Sequence, residues 1–116
     1  MYTRQDGTYV DAKAIVLSPA AALTADAVSN VVELGDKRNV ALTLVVSAVS
    51  ASDTLDVTVQ GSQDGSTNWY TIGTFTQVTT TGTERKTFTG DRFLRADYNV
   101  GGASISIAFT LTGEAT

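Results

Sequence analysis

The chain has 116 residues, neither cysteine nor histidine, and a formal net charge of −4 at neutral pH. Lacking thiols, it has no disulfides, thiolate metal sites or cysteine nucleophiles; lacking imidazole, it also misses the usual general base and the commonest metal ligand. The acidic balance argues against a phosphate-backbone partner, which calls for clustered Lys and Arg.

Hydrophobic residues at 42% and charged residues at 17% describe an ordinary folded domain, and the length suits one domain. Residues 1–11 are polar, carry an Asp6-Gly7 turn signal, and read as an extended N-terminal arm; 12–116 reads as the folded domain. The leader has neither the basic region nor the apolar core of a secretory signal, and no apolar run approaches the ~20 residues of a spanning helix. Lys13–Ser18 predicts a short strand stopped by Pro19. The Ala-rich stretch 20–29 reads as an extended connection, with a single helical turn as the alternative, because it has no apolar stripe opposite a polar one.

Val28–Leu34 predicts the next strand, closed by the polar turn 35–39. In the long strand Val40–Val49, Val40, Leu42, Leu44 and Val46 fall on one face, since side chains of an extended chain alternate between faces. Leu55, Val57 and Val59 alternate with polar residues up to Gly61. Residues 63–68, with Asp64-Gly65 at their centre, form the strongest turn signal and lead into an aromatic strand, Trp69–Phe75. Glu84–Thr89 and Arg92–Val100 follow; in the latter Leu94, Ala96, Tyr98 and Val100 share a face. In 103–112, Ile105, Ile107, Phe109 and Leu111 do the same, and 113–116 reads as a tail. About eight strands at this spacing, with no crossover helix, predict an all-β fold: a single antiparallel β-sandwich.

Asp53, Asp56, Asp64 and Asn68 invite comparison with a calcium site, but the spacing of a cation-binding loop is missing, and a structural turn explains Asp64-Gly65. Trp69 is expected to fill the core near Phe75 and Phe109 while Tyr70 covers a sheet face; an exposed ring on either would suit sugar stacking. Arg85, Lys86, Arg92 and Arg95 are interleaved with Glu84, Asp91 and Asp97, which suits cross-strand ion pairs or an interface better than a nucleic-acid groove. Serine and threonine have no histidine to activate them, so no enzyme is expected, and with it no catalytic, metal or cofactor residue.

Residues 54–75, with Gln60-Gly-Ser-Gln-Asp-Gly65, then Trp69, Ile72 and Phe75, resemble a pattern common in small structural proteins of tailed bacteriophages. Arg92-Phe-Leu-Arg-Ala-Asp-Tyr-Asn-Val-Gly-Gly102 and the strand after it are similar to the second half of that pattern, so the likeness covers 54–113. The Ala-rich segment 20–27 has no counterpart in it. The resemblance implies a jelly-roll-like sandwich on the capsid exterior: a decoration (cement) protein, made in a host cytoplasm, that binds the major capsid protein of the parent virion. It also implies a homo-oligomer, a trimer first, with no nucleic-acid or membrane partner. Tyr2, Arg4 and Tyr9 of the arm are the candidate partner contacts. The other reading is a glycan-binding or adaptor module of a phage tail, fibre or baseplate, with Trp69 or Tyr70 as a stacking platform.

Overall fold

The structure, a computed structural model, describes residues 2–3, 9–10, 12–19 and 21–116, and for 2–3 and 9–10 the backbone alone. Strands β1 (Tyr2–Thr3) and β2 (Tyr9–Val10) pair with each other as a separate two-stranded sheet. Nine more follow: β3 (Lys13–Val16), β4 (Ala27–Val28), β5 (Val32–Glu33), β6 (Asn39–Val49), β7 (Thr54–Ser62), β8 (Tyr70–Thr74), β9 (Gly82–Thr89), β10 (Phe93–Gly101) and β11 (Ile107–Ala115).

Their pairing is nested. β3 pairs with β11, β4 and β5 with β10, β6 with β9, and β7 with β8, all antiparallel. These are the rungs of one long hairpin rolled upon itself, and the contacts β11–β6 and β10–β7 close the roll. Two sheets result, β3-β11-β6-β9 and β4/β5-β10-β7-β8. This is the winding of a jelly roll, so the expected sandwich and its expected topology are both present.

The core lies between the sheets and is made by the alternating positions. Val40, Leu42, Leu44 and Val46 of β6 meet Leu55, Val57 and Val59 of β7, Leu94, Ala96 and Tyr98 of β10, and Ile107, Phe109 and Leu111 of β11. Among the described residues, Tyr98 is the largest fully buried side chain. Its ring meets Phe109 edge to face at 5.0 Å, and its hydroxyl donates to the Leu17 carbonyl. Burial pushes the Tyr98 phenol above its usual range, because the phenolate would be desolvated.

Several boundaries differ from the sequence reading, two of them through a side chain that replaces a ladder bond. The stretch 21–29 is extended, as expected: Leu23 exchanges backbone bonds with Ile107 at 2.9 and 3.1 Å, and Asp26 accepts the Val100 N–H at 2.8 Å. The expected strand 28–34 splits into β4 and β5, since the Ser29 hydroxyl, in place of a backbone carbonyl, takes the Ala96 N–H at 2.8 Å. The last strand starts at Ile107, because the Ser106 N–H leaves the ladder for Asp53 Oδ2 at 2.9 Å. Its end is no tail: Ala115 is buried, and Thr116 exchanges backbone bonds with Asn39.

Along one side, the sheets are fastened by polar side chains of β9, an edge strand. Glu84 accepts the Thr76 N–H at 2.9 Å and Lys86 donates to the Thr74 carbonyl at 2.6 Å, both on or beside β8 of the other sheet. Charges placed this way also discourage a further strand from adding to the edge.

Candidate functional site

The connection from β7 to β8 is built around Ser62, which is fully buried. Its hydroxyl donates to the Thr67 carbonyl at 2.6 Å and accepts the N–H groups of Asp64 and Gly65. Asp64 Oδ1 then accepts from the amides of Ser66 and Thr67 at 3.0 and 2.8 Å, and Oδ2 from the Thr67 hydroxyl at 2.5 Å. The Thr67 hydroxyl and these amides hold the Asp64 carboxyl well below the usual range. Gly65 has φ of +76° with the Phe93 ring against it, a position where a Cβ would be both strained and crowded. Asn68 also lies in the left-handed region, at φ 57°.

This loop, the start of β8 and the turn between β9 and β10 border an open hollow of about 420 Å³ lined by Gln63, Asp64, Asn68, Tyr70 and Asp91. Tyr70 is 49% exposed, and its hydroxyl donates to Asp91 Oδ2 at 2.7 Å. Asp91 Oδ1 accepts the Arg92 N–H at 2.6 Å. The Tyr70 hydroxyl, then the Arg92 amide, lower the Asp91 pKa, and the same hydrogen bond raises that of Tyr70. Near neutral pH both carboxylates are therefore charged and the phenol is protonated.

Trp69 is not a core residue. It is half-buried beside this hollow, with the Arg95 guanidinium 4.2 Å from its ring centroid, while Arg95 Nε donates to Gln60 at 2.8 Å. The expected core place is taken by other aromatics: Phe75 packs edge to face on Phe88, and Phe109 on Tyr98. The residue just after the tight loop stays outside because the buried Ser62 and its bonds, not an indole, close the end of β7.

The expected ion-pair network is mostly a set of bonds to neutral groups. Arg92 pairs with Glu33 at 3.8 Å, both exposed, and lies over Phe93. Arg85 donates to Thr43, Lys86 to a carbonyl, Arg95 to Gln60. Nor do the acidic residues of 53–68 converge. Asp53 is buried on the Ser106 amide with Oδ1 unpaired, Asp56 accepts from Gln77, and Asp64 serves its own loop. Among the described residues, no group of three or more His, Cys, Asp or Glu side chains is placed to hold a metal ion.

The opposite surface of the sandwich is chemically plain. On the outward rows of β3-β11-β6-β9, Val16, Thr112, Thr43 and Arg85 lie in register, as do Ala14, Glu114, Ala41 and Thr87, and Thr110, Val45 and Thr83. Val16 is 57% exposed and Val45 39%. Arm residue Arg4 and the side chains of Tyr2 and Tyr9 lie outside the described residues, so the expected contacts are not placed. Sequence reasoning missed the pairing of Tyr70 with Asp91 and the burial of Ser62 and Asp53. The Asp64-Gly65 turn was legible, but no local signal joins residues 21 positions apart.

Comparison of the chain with protein-family models, with curated proteins and with solved structures found no match. What the fold and its surface define is a jelly-roll β-sandwich with one nearly uncharged sheet face and one polar hollow at a loop end.

Proposed function

We propose that this is a structural protein of a tailed-phage particle, a decoration protein that grips the outside of the head and stabilises the shell. The observation that carries the reading is the outward face of β3-β11-β6-β9. Valine, alanine and threonine dominate it, and Arg85 and Glu114 are the charged members of its rows. Depletion of charge with exposed apolar side chains is what the centre of a protein interface requires.

The mechanism is mass action: a ligand that binds only the assembled shell shifts the equilibrium toward it. Three copies joined as a trimer raise a modest single-site affinity by about 10²–10⁴. The reading assigns no catalysis, cofactor, nucleic acid or membrane, and it is supported by the likeness of 54–113 to phage structural proteins.

The test is co-sedimentation of the purified protein with heads, and separately with tails, of the phage that carries its gene. Binding to heads, lost in Val45→Glu, is the expected result. Binding to tails alone moves the protein to the adaptor reading, and binding to neither overturns the proposal.

A further inference from the structure

We propose that the hollow bounded by Gln63, Asp64, Asn68, Tyr70 and Asp91 is a binding site for a neutral saccharide, held against the Tyr70 ring. The inference goes beyond the shell-binding reading and does not depend on it. None of the five residues lies on the neutral sheet face, so both contacts can be made at once.

The volume, about 420 Å³, falls in the range of small-molecule sites. Its lining has the chemistry that a polyol needs. Gln63 and Asn68 carry amides that both donate and accept, while the Asp64 and Asp91 carboxylates accept from ligand hydroxyls. Tyr70 supplies an aromatic ring on the spot, half exposed and anchored by the 2.7 Å bond to Asp91. An aromatic body beside polar hydrogen-bonding groups matches a sugar, which has an apolar face of C–H groups and a rim of hydroxyls.

The same details disfavour other ligand classes. Two charged carboxylates repel a phosphate or carboxylate ligand, and the lining contains no Lys or Arg; the nearby Arg38 is held on the Gly35 carbonyl. A hard cation wants six or more oxygens. Here the Asp64 oxygens already accept three protein N–H or O–H groups, and the Asp91 oxygens two.

The test is a titration of the ¹⁵N-labelled full chain, followed by amide chemical shifts. The probes are glucose, galactose, mannose, rhamnose and N-acetylglucosamine. The expected result is that at least one of them shifts amides of 63–70 and 91–92, with a dissociation constant on the order of 1 mM. Tyr70→Ala should weaken that binding by about tenfold or more, while Tyr70→Phe, which keeps the ring, should retain most of it. Unperturbed shifts elsewhere in both variants show that the fold is intact.

The proposal is overturned if no probe moves these amides, or if the shifts survive in Tyr70→Ala. A parallel titration with calcium chloride that moves the same amides in place of the sugars reassigns the hollow to a cation and overturns it equally. Shell binding is read separately by co-sedimentation, so failure of one reading leaves the other standing.

Discussion

Two residues show how single polar groups are used in this small domain. Ser62 is buried, and its hydroxyl satisfies two amides and one carbonyl of a loop that would otherwise bury them bare. Ser62→Ala is expected to cost about 1–3 kcal/mol, the range for orphaning buried polar groups, measured by urea denaturation. Tyr98 carries a pH dependence. Its phenol is raised by burial above the ordinary value of about 10, so the unfolded chain releases the proton first. Its contribution is therefore fully present below pH ~10 and is lost as pH rises further. Tyr98→Phe is expected to lose about 1 kcal/mol near neutrality with its hydrogen bond to Leu17, and to show a shallower fall of stability at alkaline pH. Denaturation curves at a series of pH values from neutral upward check this; Tyr70, held by Asp91, accounts for part of the slope that remains.

Among the elements, β11 is held tightly by its neighbours at one position, Gly113. It lies between β3 and β6, and Gly113 faces Ile15 on one side and Leu42 on the other. A Cβ built on Gly113 would stand 1.9 Å from the Ala41 carbonyl oxygen, a backbone atom that cannot swing aside. Gly113→Ala is expected to destabilise by about 3 kcal/mol or more, the upper range of overpacking, seen as a lower melting temperature or as loss of soluble protein. Gly61, by contrast, meets first the flexible tip of Ile72, so the same substitution there has a neighbour that can yield. A strand pattern written as a tail can thus be the tightest piece of the sheet, because register and not hydrophobicity decides how close two backbones come.

For the whole molecule, nested pairing sets the folding behaviour. Ile15, near one end of the chain, sits opposite Gly113, near the other, so closing the outer rungs costs less entropy once the inner ones have shortened the loop between them. Folding should accordingly be slow for a domain of this size, on the order of milliseconds to seconds in stopped-flow fluorescence of Trp69. Submillisecond folding would contradict that expectation. The division of surfaces also belongs to this scale: one sheet turns a neutral face outward, and the loop end of the sandwich carries the hollow.

The alternation of apolar and polar residues by itself determined the class of fold, the inward faces of β6, β7 and β10, and most turns. Side-chain direction repeats every two residues and needs no distant partner to be read. The Asp64-Gly65 turn was legible for the same reason, its geometry being local. Only the tertiary structure decided that Trp69 stays outside the core, that Ser29 breaks a strand in two, that β11 runs on to Ala115, and that Tyr70 meets Asp91. Each of these depends on a group brought from far along the chain by the roll of the sheets. A hydrogen bond or ring contact across such a distance leaves no periodic trace in the residues on either side.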